Sequence, residues 1–255
     1  MRIRHQAGTP PTTGTVARAL VVALLAGGIV GAVTTASGCG DSNRGSNGNT
    51  SSTRTPRGPV PASLGDVESG AEDTIDFARQ HERSRVVATA RELRRAADRR
   101  ATEDLRRAGV PAGRIAALAD RARLVAAIAP HAKLLRVSLA ANQVSALMPE
   151  LYARYADPVP PDVLKLDYLD REAQLRSLAG DTAAVTAAVD ELSSTWTRLR
   201  PKVIDADGRR VAATFGRHVA AMRRLVSGSD NAALRREAVT GLELVDRLEE
   251  VFRRE

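Results

Sequence analysis

Residues 181–203, DTAAVTAAVDELSSTWTRLRPKV, decide the fold class. Val185, Val189, Leu192, Trp196, Leu199 and Val203 follow one another at spacings of 4, 3, 4, 3 and 4. That rhythm lines six apolar side chains along one face of an α-helix. Asp181 comes directly after Gly180, a capping residue after a helix stop. Burying six such side chains is worth on the order of 10–15 kcal/mol gross, most of it cancelled by the entropy of ordering them. Pro201 interrupts the pattern, and its missing donor predicts a kink or an end near Arg200.

The same period recurs on both sides. Downstream, a helix starting near Gly208 carries Val211, Phe215, His218, Met222 and Leu225 and stops at Ser227-Gly228-Ser229. Asp230 then caps a last helix with the stripe Leu234, Ala238, Gly241, Val245, Leu248 and Phe252. A glycine on that stripe costs helix propensity and suggests that a neighbouring helix comes close there. Upstream, residues 162–179 form a helix after the break Asp157-Pro158-Val159-Pro160-Pro161. Residues 63–109 contain the sets Val67, Ala71, Ile75, Ala78 and Val86, Ala90, Leu93, Ala97, separated by the charged run 79–85, which is either a break or a solvated turn. Pro111 suits the first turn of the next helix, with Ile115, Leu118, Ala122 and Val125 inward. Pro130 restarts a helix whose face Val137, Ala141, Val144, Met148, Tyr152, Tyr155 runs through Pro149, where the ring predicts a kink.

No segment has the period of a strand. The expected fold is all-α, an antiparallel helical bundle or stacked αα-hairpins. The helix pairs around Gly180-Asp181 and Gly228-Ser229-Asp230 resemble each other, through a degenerate repeat or through convergent hairpin design.

The chain ahead of this body has two parts. Ala19 to Val33 is a short apolar run preceded by Arg2, Arg4 and Arg18 and followed by small residues 34–38, the pattern of a secretory signal. At ~15 residues the run is shorter than the roughly 20 that span a bilayer. Its end, Ala36-Ser37-Gly38-Cys39, resembles the lipobox of bacterial lipoproteins, although Ala36 stands where that family usually has Leu. The resemblance implies removal of residues 1–38 and acylation (diacylglycerol, palmitate) of Cys39, the one cysteine in the chain. The alternative is an uncleaved anchor helix extended through residues 34–38. Either way the body is expected outside the cytoplasmic membrane. Residues 39–62 are nearly all Gly, Ser, Asn, Thr, Pro and Arg, too polar to bury a core, and are expected to form a disordered tether with a mean reach of roughly 25 Å. The all-helical domain is then residues 63–255.

Charge confirms little about partners. The net charge is +8, but residues 1–63 carry six of the 38 basic and one of the 30 acidic residues, which leaves 32 and 29, net +3, for the body. That near-balance and the 3% aromatic content give no platform for nucleic acid. Arginine far exceeds lysine and alanine is abundant, a composition typical of a high-GC, actinobacterial genome.

The candidates for chemistry are few. The body has no cysteine, no G-x-S-x-G elbow, no phosphate-binding glycine loop, and no histidine pair at metal-ligand spacing among His5, His81, His131 and His218. No catalytic residue, metal ligand or cofactor is therefore expected. His218, on the apolar stripe, is either a core histidine with a satisfied ring or a ligand or switch. In DVLKLDYLDREAQLR, residues 162–176, Asp167/Arg171 and Glu172/Arg176 stand at i, i+4 and Asp170 at i+3 from Asp167. They read as surface salt bridges or as a carboxylate cluster facing a cleft. Asn142, Tyr152, Tyr155, Tyr168, Trp196 and His218 place polar tips on otherwise apolar helices, which suits a core rim or the lining of a pocket.

The phrases AANQVSALMPELYARY, PVPPDVLKLDYLDREAQL and GLELVDRLEEVF resemble segments of uncharacterised helical lipoproteins of actinobacteria. More distantly, the helical-hairpin style is similar to periplasmic domains that accompany iron-uptake systems. The lipoprotein resemblance carries no known activity. With no nucleophile, metal set or cofactor loop visible, the expectation is a lipid-anchored, non-enzymatic envelope protein that binds a protein partner or small ligand. Its alternative is a metal- or solute-binding component of an uptake system, and an enzyme is the last-ranked reading. The expected pocket residues are His218, Trp196, Asp167, Tyr168, Asp170, Glu172 and Tyr152.

Overall fold

The charged run at 79–85 turns the chain. In the computed structural model, which describes residues 58–254, α1 (Ala62–Arg79) and α2 (Arg83–Ala96) are separated at His81, where φ is 61°. The leader, Cys39 and almost all of the tether lie outside the described residues. Arg85 lays its guanidinium over the Phe77 ring, 3.7 Å from the centroid. α2 passes through one π-helical turn, Ala97–Ala101, into α3 (Thr102–Arg107), and Thr102 Oγ1 donates to the Ala97 carbonyl at 2.8 Å across that turn. Gly109, at φ 70°, supplies the left-handed backbone that ends this helix. α4 (Ala112–Ile128), α5 (Leu134–Ser145) and the short α6 (Met148–Tyr152) complete the first half.

The Pro-rich break leads into α7 (Pro161–Ala179), α8 (Thr182–Asp205), α9 (Arg209–Ser227) and α10 (Asn231–Arg253). Asp181 accepts from Ala184 N at 3.2 Å and Asp230 from Ala233 N at 2.9 Å, so both caps do what the sequence predicts. Gly180 takes φ 75° as the left-handed stop of α7.

Every regular element among the described residues is helical, and the short turns reverse the chain each time. The elements close into two rings. α1 packs on α2, α2 on α4, α4 on α5, and α5 back on α1, around Leu64, Val67, Leu93, Leu105, Leu118, Val125, Val137 and Val144. α7 packs on α8, α8 on α9, α9 on α10, and α10 back on α7, around Leu166, Val189, Leu192, Phe215, Met222, Leu234, Val245 and Leu248. The body is thus one helical unit with two apolar cores. The two look-alike hairpins, α7–α8 and α9–α10, combine to make the second bundle. α7 also packs on α5 and α6, so it belongs to both halves.

Two proline expectations need correction. Pro149 does not kink a through-going helix: α5 ends at Ser145, and Pro149 sits in the first turn of α6, where its absent N–H costs nothing. Of the kink or end expected at Pro201, the end near Arg200 does not occur: α8 continues to Asp205. Pro201 and Thr197, whose carbonyl loses its helical donor, both face solvent, while Val203 stays buried and holds the final turn to the core.

A buried ionic seam as candidate functional site

The polar residues of α7 were expected on a surface or facing a cleft. They lie instead inside the molecule. Asp167, Asp170, Arg171, Glu172 and Ser177 are buried together with Val163, Leu166, Leu169, Ala173 and Leu175. A helix packed on both bundles has almost no face left for water, so its charges must find partners among its neighbours.

They find them on four other helices or turns. Arg171 donates to Asp167 Oδ2 at 3.0 Å and reaches Glu72 of α1 at 3.4 Å. Burial works against its cation, but Asp167 and Glu72 more than compensate, and its pKa rises. Glu172 accepts from Arg176 Nε at 2.7 Å, from Asn142 Nδ2 of α5 at 2.8 Å and from Gln143 Nε2 at 3.4 Å. Arg176 also meets Asp181 at 3.4 Å, tying the seam to the cap of α8. The i, i+4 pairs read from the sequence exist, but they are interior contacts that clasp the first bundle to the second.

The densest point is His218. Its Nε2 lies 3.0 Å from Asp170 Oδ1, across the diagonal of the second bundle, and its Nδ1 lies 2.9 Å from Glu237 Oε1 of α10. A carboxylate accepts but does not donate, so with Asp170 and Glu237 both ionised the two ring nitrogens both carry protons and the ring is an imidazolium. Burial opposes that charge; Asp170 and Glu237 outweigh it and raise the pKa above the ordinary 6.5. Asp170 is completely buried, which pushes its carboxyl up, with His218 pulling against the rise. Both shifts have one sense: the pair keeps its proton to higher pH than isolated groups do.

Gly241 makes this geometry possible. A Cβ there would stand 2.5 Å from Asp170 Cγ and 2.6 Å from His218 Nε2. The close approach expected at this glycine is therefore to an ion pair, and α10 is the lid that seals it from water.

The remaining candidates are dispersed. Trp196 is in the second core, its ring centroid 4.7 Å from that of Phe215, which in turn meets His218 edge-on at 5.2 Å. Tyr168 is half-buried, and its carbonyl accepts from Asn142 Nδ2 at 3.4 Å. Tyr152, on α6, donates its hydroxyl to Glu68 Oε2 of α1 at 2.5 Å; burial and that carboxylate push its phenol strongly up. Tyr155 is buried in the first core. The structure therefore unites His218, Asp170, Asp167 and Glu172 in one seam, leaves Tyr168 at its edge, and puts Trp196 and Tyr152 elsewhere. A surface depression of about 500 Å³ beside Ala232, Arg235, Arg236 and Val239 of α10 includes none of them.

Three partners escaped the sequence reading: Glu72, Gln143 and Glu237. Glu237 had a signal, since it precedes Gly241 by four residues and so shares its side of α10. Glu72 and Gln143 had none, because they flank apolar stripes on helices distant in sequence. In chemical terms the seam can hold a proton and fix two bundles. Both His218 nitrogens face carboxylates. Asp170 and Glu237 lie at opposite ring nitrogens and do not converge on a point. Among the described residues, no group of three or more His, Cys, Asp or Glu side chains is placed to hold a metal ion, and no helix is long and apolar enough to cross a membrane. Comparison with protein-family models, with curated proteins and with solved structures finds no match to this chain.

Proposed function

We propose that the protein is a non-enzymatic interaction module of the cell envelope, held on the outer face of the cytoplasmic membrane by a lipid on Cys39. The non-enzymatic part rests on one observation. The side chains best suited to chemistry, Asp167, Asp170, Arg171, Glu172 and His218, are buried and hydrogen-bonded to one another or to Glu72, Asn142, Arg176 and Glu237. Such a seam supports a rigid two-bundle body that presents its outer surfaces to a partner. The anchor rests on the leader pattern and the position of the single cysteine. Lipid labelling of the chain and of its Cys39→Ala form tests it: labelling should vanish in the variant, and unchanged incorporation refutes the anchor.

The alternative, a metal- or solute-binding part of an uptake system, draws support from the donor types gathered at His218. For a metal to bind there, the ring would have to release one carboxylate and lose a proton. Melting of the protein with and without Fe, Zn, Cu and heme separates the two readings. No shift agrees with the module; a shift of several degrees that His218→Ala removes favours the alternative.

A further inference from the structure

α9 carries Arg209, Arg210, Arg217, Arg223 and Arg224 and no acidic residue. All five are exposed. At 3.6 residues per turn they fall within an arc of about 140°, opposite the core face of Phe215, Val219 and Met222. Ala213, Ala220 and Ser227, also exposed, share the arc.

This face departs from the rest of the surface in two ways. First, no other helix among the described residues combines so many arginines with no Asp or Glu. Arg85 meets Glu82, Arg114 meets Glu150 and Arg253 meets Glu249, while Arg91, Arg94, Arg136 and Arg200 are exposed without an ion pair among the described residues but stand singly or beside acidic residues of their own helix. Among the described residues none of the five on α9 has an ion pair; Arg217 donates to its neighbour Thr214 Oγ1 at 3.0 Å. Second, α9 opens with Arg209 and Arg210 in its first turn, without an acidic residue or a side-chain cap. Cations at the positive end of the helix dipole are unfavourable, so helix stability does not account for them.

We propose that the arginine face of α9 is a docking surface for an anionic lipid bilayer. From Arg210 to Arg224 the row extends about 21 Å along the helix. It offers unpaired guanidiniums separated by small side chains, without an exposed aromatic or large aliphatic residue. A plane of phosphates needs only spaced cations, whereas a protein interface needs buried anchor residues. The proposal builds on the envelope reading, yet it is tested in a chain that cannot be acylated, so the two can fail separately.

The test uses the full chain with Cys39→Ser and Ala220→Cys, labelled at the new cysteine with an environment-sensitive fluorophore. A second chain carries the label at Leu124→Cys on α4, which is 50% exposed in the first bundle. Vesicles of phosphatidylcholine alone are compared with vesicles containing equal phosphatidylglycerol. The Ala220 label should respond to the anionic vesicles and not to the neutral ones, and high salt should abolish the response. Adding Arg210→Gln, Arg217→Gln and Arg224→Gln should raise the lipid needed for half-response on the order of 100-fold, at about fivefold per arginine. These side chains are exposed, and an unchanged melting temperature will show that the triple variant is folded. The proposal is overturned by equal response to both vesicles, by equal response of the Leu124 label, or by indifference to the triple substitution. A response to soluble polyglutamate without one to anionic vesicles also overturns it and assigns the face to an acidic protein.

Discussion

Gly241→Ala is the most informative single change. In an ordinary helix the substitution stabilises by about 1 kcal/mol, because alanine loses less backbone entropy. Here the new Cβ would stand 2.5 Å from Asp170 Cγ and 2.6 Å from His218 Nε2, within the contact distance of any real side chain. Either α10 withdraws or the Asp170–His218 pair separates. Withdrawal gives up packing in a filled core, typically about 1–3 kcal/mol. Separation leaves a charge buried without its partner, about 3–5 kcal/mol. After the propensity gain, the net loss is up to about 2 kcal/mol if α10 withdraws and about 2–4 kcal/mol if the pair separates, a fall of up to about 15 °C in Tm for a body of this size. Circular dichroism melts and urea titrations measure it. Gly65→Ala in α1 and Gly113→Ala in α4 are the controls, since a Cβ at either meets nothing within 4 Å; both should be neutral or slightly stabilising. A Gly241→Ala protein as stable as wild type, or more so, refutes the sealed ion pair.

Other predictions concern the seam and the caps. Arg171→Met strands buried Asp167 and should cost about 3–5 kcal/mol, while Asp167→Leu with Arg171→Met removes that pair together and should recover much of the loss in a urea titration. Because His218 has its pKa raised above 6.5 by Asp170 and Glu237, the folded state binds its proton more tightly than the unfolded chain. The stabilisation is complete below the unfolded value and disappears as pH rises through the folded one. Asp170, pushed up by burial, contributes with the same sign. Urea midpoints should therefore decline from about pH 4 upward through Asp170 and further above about pH 6.5 through His218, and His218→Gln with Asp170→Asn should flatten that decline. Asp181→Ala and Asp230→Ala should each cost about 1 kcal/mol and add nearly independently, because each caps a different hairpin.

The parts of the fold that were legible are those whose determinants are local. α8 and α10 have a cap, a stop and an unbroken apolar stripe, and the structure starts each one residue after its Asp cap. α7 is different. It is buried on most sides and its ion pairs stand at i, i+4, the same spacing an exposed helix uses. What makes those pairs internal is Glu72, 99 residues before Arg171, and Asn142, 30 residues before Glu172. No window along the chain contains that information. The division into two cores was hidden for a related reason: the break at 157–161 was plain, but helices on both sides share one period. His218 was legible as a satisfied core histidine or as a ligand; its two carboxylate partners, which come from α7 and α10, were not legible as such. Pro149 was misread because the break before α6 leaves no mark in the apolar period, and Pro201 because the hydrogen bond it removes lies on a face open to water.

The central claim is that the ionisable groups of this body are its clasp. Nitrogen-15 NMR of the His218 ring tests that most directly. The account predicts both ring nitrogens protonated at neutral pH, a titration midpoint above 6.5, and spectra indifferent to added zinc or iron. A neutral ring in one tautomer, titrating at or below its ordinary value, or a ring nitrogen displaced by metal, would contradict it.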